Sequence, residues 1–111
     1  MQAKTEQFSA DLQLIAQYAR LLSHPARIAI IRLLADKKQC ISGDIAGELP
    51  LSRSTVSQHL QELKQVGLIK GEICGLNVNY CLNMEKWQEV RRYFEQLFSD
   101  TTTHSSFNCD C

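Results

Sequence analysis

The sequence predicts a mainly α fold completed by a small β-hairpin (α+β), and three patterns predict it. Apolar residues recur at helical spacing in the long segments of this 111-residue chain. Two short extended stretches, about Leu68–Ile73 and Val78–Leu82, flank the turn signal Gly75-Leu76-Asn77. Both prolines, Pro25 and Pro50, fall between segments and not inside one.

The elements follow in order. Phe8, Leu12, Ile15, Ala16, Ala19 and Leu22 define an amphipathic helix from about residue 8 to 22. Ser23 can cap the next helix, and Pro25 suits its first turn because the missing N–H loses nothing there. From Pro25 to about Ala35 the run is nearly all apolar, apart from Arg27 and Arg32, so this helix is expected to be buried on most sides. Ser42 to Leu49 reads as a short capped helix, with Asp44 near its positive end and Pro50 as its stop. Ser52 opens a longer helix that runs to Val66, and Gly67 supplies a left-handed stop. After the hairpin, Asn83 caps a last helix whose Trp87, Val90, Phe94, Leu97 and Phe98 share a face. Two consecutive helices joined by Leu49-Pro50-Leu51 form a helix-turn-helix, and the hairpin is its wing. Residues 8–100 are expected to form one winged helix-turn-helix domain, followed by a flexible C-terminal tail, 101–111, that carries Cys109-Asp110-Cys111.

Composition narrows the function classes. No apolar run approaches the ~18–20 residues of a membrane span, and the N-terminus lacks a charged-then-apolar signal layout, so the expected location is cytoplasmic, with no membrane partner. The formal net charge is zero, yet its distribution is uneven. Residues 20–70 hold eight basic and four acidic residues, a net +4, and the remainder holds four basic and eight acidic, a net −4. A basic centre between acidic ends suits a polyanionic partner better than the sum suggests. Five cysteines without a secretion signal argue against a structural disulfide framework. No base-bearing pocket, phosphate loop or substrate cleft is evident, so an enzyme is not expected.

The helix from Ser52 to Val66 carries the functional argument. At about 100° per residue, Val56, Leu60 and Leu63 form one narrow stripe that must face the core. Ser54, Gln58, Gln61 and Gln65 cluster opposite, with Thr55, Ser57 and Glu62 on the flanks and His59 close to the stripe. An ordinary solvated face displays Lys and Glu; this one displays hydroxyls and amides that donate and accept at base edges and phosphates. Arg53 and the free N–H groups of the first turn add phosphate anchoring. The candidate DNA-binding residues are Ser52, Arg53, Ser54, Thr55, Ser57, Gln58, His59, Gln61 and Lys64.

With those residues in view, the chain resembles the ArsR/SmtB family of metal- and metalloid-responsive repressors. The resemblance rests on residues 21–35, on 42–69 and on the wing ending Asn79-Tyr80-Cys81-Leu82, and it spans roughly 8–98. The family pattern V-S-x-H-L-x-x-L followed by G-L-[IV] stands here as Val56 to Leu63 and Gly67-Leu68-Ile69. The resemblance implies a homodimer paired through its first and last helices, each subunit setting its fourth helix in a major groove of operator DNA. It also implies repression relieved by a ligand. The wing departs from the family, because Ile73 to Asn77 holds no arginine, so the salt dependence of DNA binding is expected to be modest.

The ligand is not fixed by the family. The arsenic site of the third helix needs a C-x-C that residues 42–49 lack, and the zinc site of the last helix needs histidines that Met84–Asp100 lacks. What remains is Cys109 and Cys111, with Cys40 as a candidate third thiolate and Cys74 and Cys81 read as packing residues in the hairpin. Two thiolates one residue apart can converge on a soft ion. The resemblance extends to arsenic sensors whose cysteines lie just beyond the last helix. As(III) or Sb(III) is therefore the expected inducer, with another soft metal ion as an alternative. Zinc would want four ligands, and His104 alone does not complete a set. A thiol-redox or persulfide-sensing repressor of the same fold is the competing reading; a winged helix used only for protein contacts would need an apolar or acidic stripe in place of Ser54, Gln58 and Gln61.

Overall fold

The computed structural model describes residues 4–37, 40–42 and 47–102. A short 3-10 turn, Thr5–Gln7, precedes four helices and three strands among these residues: α1 (Ala10–Leu21), α2 (Pro25–Lys37), β1 (Ile41–Ser42), α3 (Arg53–Gln65), β2 (Ile69–Cys74), β3 (Asn77–Leu82) and α4 (Met84–Thr101). The expected class holds, a helical body with a β-hairpin wing behind α3.

One strand is added to the expected elements and one cap is corrected. Ile41 and Ser42 form β1, which pairs antiparallel with β3, Ile41 opposite Tyr80 and Ser42 opposite Asn79. The wing is thereby a three-stranded sheet in the order β1-β3-β2, which pairs one edge of β3 that a bare hairpin would leave open. Half of the short helix expected over 42–49, residues 43–46, lies outside the described residues. The cap before α2 is also displaced by one residue. His24 Nδ1 accepts from the Ala26 N–H at 3.0 Å, while the Ser23 hydroxyl donates back to the Arg20 carbonyl at 2.7 Å. With Pro25 as the first helical residue, His24 stands at the capping position, and its ring nitrogen reaches the orphan donor.

The other boundaries follow from their residues. Ser9 starts α1 by accepting from Leu12 N–H, so the helix begins at Ala10, two residues later than Phe8 suggested. Ser52 accepts from Thr55 N–H at the start of α3. Gly67, at φ +82°, ends that helix, with Gly67 N–H donating to Lys64 O and Leu68 N–H to Leu63 O, the two bonds of a Schellman motif. Gly75, at φ +63°, makes the two-residue turn of the wing between the paired Cys74 and Asn77.

The core gathers Tyr18 and Leu21 of α1, Ile30, Ile31 and Leu34 of α2, Val56, Leu60 and Leu63 of α3, Leu68, Ile69 and Tyr80 of the wing, and Val90 of α4. A polar clamp joins the first and last helices at its edge. The buried Tyr18 hydroxyl donates to the Glu89 carboxylate, and Lys86 Nζ reaches the same oxygen at 3.0 Å. Glu89 is held below the usual carboxylate range by the Tyr18 hydroxyl and then by Lys86, while burial, with the Glu89 bond, raises the Tyr18 phenol. Tyr18 also packs edge-on against Tyr93, with ring centroids 5.7 Å apart. Replacing Tyr18 with Phe keeps that packing and deletes the bond to Glu89. Urea denaturation should then show a loss of about 1 kcal/mol, the scale of one net hydrogen bond; an unchanged midpoint would show that the clamp contributes nothing.

Candidate nucleic-acid interface

Helix α3 is held by one face and bare on the other. Val56, Leu60 and Leu63 are 1%, 2% and 0% exposed, so the aliphatic stripe is fully sunk. Ser52, Arg53, Ser54, Ser57, Gln58, Gln61 and Lys64 are exposed, and Thr55 is half-buried. Hydroxyl-to-hydroxyl contacts order the leading end: Ser52 Oγ lies 2.9 Å from Thr55 Oγ1 and 3.2 Å from Ser54 Oγ. Lys64 sits where α3 meets the wing, its ammonium 3.2 Å from the point a Cβ on Gly71 would occupy. The missing side chain at Gly71 lets the lysine lie over strand β2.

His59 does not join that face. It is buried, 8% exposed, and Arg27 Nε donates to its Nδ1 at 3.1 Å. Its ring lies 4.5 Å from that of His24. Arg27 also pairs with Glu62, so a knot of His24, Arg27, His59 and Glu62 ties α2 to α3. The physical reason for the difference from the other eight candidates is angular: His59 sits beside Leu60 and Leu63 and follows them inward. Burial lowers its pKa below the ordinary 6.5, and the charges of His24 and Arg27 lower it further.

At the wing, the tip is apolar: Ile73 is 83% exposed and Leu76 fully so. Farther back, Cys40 and Cys81 are joined by a disulfide, their Cα atoms 4.3 Å apart. In this form Cys40 has no thiolate to lend to a tail site. Cys81 is half-buried, and its role is in a bond across 41 residues of sequence, not in packing alone. Cys109 and Cys111 lie outside the described residues. Sequence reasoning missed the Cys40–Cys81 pair because it missed β1. Once Ile41 is set opposite Tyr80, the next residue pair outward is Cys40 and Cys81.

On the body's other side, a groove of about 490 Å³ runs between α1 and α4, lined in part by Leu12, Ile15, Tyr93 and Leu97. Leu12 of α1 and Phe98 of α4 are 54% and 60% exposed, and Phe8, just before α1, is 61% exposed. No helix among the described residues is long and apolar enough to cross a membrane.

Comparison with known proteins agrees with this geometry. Residues 24–70 match the family model described as bacterial regulatory protein, arsR family. The chain is 35% identical over 71 residues to the HTH-type transcriptional repressor SmtB of Mycobacterium tuberculosis, covering 64% of this chain and 52% of that protein. It thus spans about half the length of the first curated relatives it matches. A transcriptional repressor SmtB homolog of Synechocystis sp. is 30% identical over 100 residues, covering 86% of this chain and 75% of that one. The solution structure of the cadmium metal-sensor CMTR of Mycobacterium tuberculosis superposes with a TM-score of 0.53 at 30% identity, covering 87% of this chain and 97% of that one.

The knot around His59 makes stability depend on pH. A folded-state pKa below 6.5 means the unfolded chain binds the proton more readily. The contribution is therefore complete above pH 6.5 and is lost as pH falls from there through the folded value. Protonation would also set an N–H against the Arg27 donor. The melting temperature should fall between pH 7.5 and 5.5, and His59→Gln should flatten that slope; identical slopes in both proteins would refute the assignment.

Proposed function

The chain belongs to the ArsR family of bacterial regulatory proteins, and from that premise we propose that it is a homodimeric transcriptional repressor that reads operator DNA with α3 and lets go on binding a thiophilic inducer. One observation carries the reading: α3 offers hydroxyls and amides on a face held rigid by a fully buried stripe. A two-helix-wide protein body cannot enter the major groove, but a single helix presented this way can. Gln58 and Gln61 suit bidentate contacts to adenine; Ser52, Ser54, Thr55 and Ser57 suit phosphates and base edges. Arg53 and Lys64 add charge at either end of the helix. His59 acts from behind, by fixing α3 to α2.

The dimer is assigned to the first and last helices, where Leu12 lines the α1–α4 groove and Phe98 of α4, with Phe8 just before α1, is exposed as well. An apolar surface of that kind on two adjacent helices is what a two-fold partner covers. Residues 8–100 act as the DNA-binding unit and 101–111 as the sensory tail. The named repressors among its relatives support repression, and the cadmium metal-sensor supports a metal-responsive role. Cys109 and Cys111 together support As(III) or Sb(III) as the inducer, since two adjacent thiolates favour a soft ion. A second reading keeps the fold and changes the signal: the Cys40–Cys81 disulfide supports release by thiol oxidation.

Gel shifts on a duplex taken from beside the protein's own gene test these assignments. Gln58→Ala and Gln61→Ala should each weaken binding by about 1–3 kcal/mol without moving the melting temperature; unchanged affinity would displace α3 as the reader. Replacing Cys109 and Cys111 together with Ser should leave DNA binding intact and abolish release by arsenite. Release of the double variant by arsenite would exclude the tail, and release of the parent protein by diamide alone would favour the redox reading.

A further inference from the structure

The outer face of the wing holds a group of side chains that the DNA-reading geometry does not use. In β3, Tyr80 is buried, so its neighbours Asn79 and Cys81 point to the opposite face of the sheet. In β2, the alternation puts Lys70 and Glu72 on that same outer face, opposite Cys81 and Asn79 respectively. Cys40, one residue before β1, completes the row beside Cys81. The ligand atoms of Cys40, Glu72 and Cys81 all lie within 4.8 Å of one another. Cys40 and Glu72 are exposed and Cys81 half-buried, so the group is open to solvent.

We propose that, once reduced, Cys40, Cys81 and Glu72 form a binding site for a thiophilic divalent cation of the zinc and cadmium class. The chemistry of the donors selects the ion. Two thiolates on one tetrahedral centre sit about 3.8 Å apart, given metal–sulfur bonds of ~2.3 Å. Side chains whose Cα atoms are 4.3 Å apart reach that spacing by small rotations when the S–S bond is open. Trivalent arsenic favours a third thiolate, whereas a carboxylate as third donor suits a borderline divalent ion. Three protein donors leave a fourth position for water or an exogenous ligand.

The steps balance. Two equivalents of a small-molecule thiol reduce the disulfide through a mixed disulfide, giving two protein thiols and one oxidised dimer of the reductant. The cation then replaces the two thiol protons, which pass to solvent, while Glu72 binds as the carboxylate. Disulfide and metal are thus alternative occupants of one place. Each fastens the segment leaving α2 to the wing, the ion reaching both β2 and β3. The site stands on its own geometry and is independent of what the tail binds.

The test is a cadmium titration of the full-length protein carrying Cys109→Ser and Cys111→Ser, reduced with a phosphine and followed by thiolate-to-cadmium charge-transfer absorption. One ion per protomer should bind, releasing two protons, and the same protein left oxidised should bind none. Adding Cys40→Ser or Cys81→Ser should halve the absorption and weaken binding by at least ~10–100-fold, the range already seen when an outer-shell partner is lost. Glu72→Gln should keep the absorption and weaken binding by about tenfold or more, which reads the site without touching either thiol. Cys74→Ser should change nothing. The proposal is overturned if the reduced tail variant takes up no cadmium, if Cys74→Ser abolishes uptake, or if Glu72→Gln leaves the affinity unchanged.

Discussion

Burial of three aliphatic side chains on α3 sets the rest of the structure. Val56, Leu60 and Leu63 are sunk among Ile30, Ile31 and Leu34 of α2 and Leu68 and Ile69 of the wing. Each fully buried side chain of this kind contributes roughly 1.5–3 kcal/mol, and a rotation of the helix by one residue would forfeit most of it. The rotation of α3 is therefore fixed, and with it the identity of the outward face. A helix with an equally polar exterior but a looser rib would present no defined set of donors and acceptors.

The ends of α3 are fixed as firmly as its rib. Ser52 closes the leading end, and the Schellman bonds at Gly67 close the trailing end. Asn83 then links that end to the last helix: its Nδ2 donates to Gly67 O at 2.8 Å, its backbone N–H donates to Leu68 O at 2.9 Å, and its Oδ1 accepts from Lys86 N–H. One residue thus caps α4 and braces the exit of α3. Tyr18 and Glu89 carry the connection on to α1. Helix α3, the wing and the outer helices form one hydrogen-bonded and packed unit.

Much of this was legible in the sequence because it is local. Ser52, Gly67, Gly75 and Asn83 each mark a boundary through their own backbone or side-chain chemistry, and the stripe of α3 follows from helical period alone. The failures share a different origin. Strand β1 is two residues long and exists because β3 offers an open edge, which no local pattern announces. The Cys40–Cys81 bond depends on that strand and was hidden with it. His24 replaced Ser23 as a cap because Pro25 sets the first helical position, a matter of one residue. His59 was legible only as a boundary residue; its burial against Arg27 and His24 comes from the packing of α2 on α3.

The tail cysteines are legible in the sequence as a C-x-C pair. The face of α3 is different, since its geometry is complete. Methylation protection with dimethyl sulfate tests it most directly, on a duplex from beside the gene, because the reagent modifies guanine N7 in the major groove and adenine N3 in the minor groove. Protected guanines in two clusters about one helical turn apart, ~10 bp, are the expected result, one cluster for each subunit. Protection confined to adenine N3, with every guanine N7 still reactive in the bound complex, would contradict it.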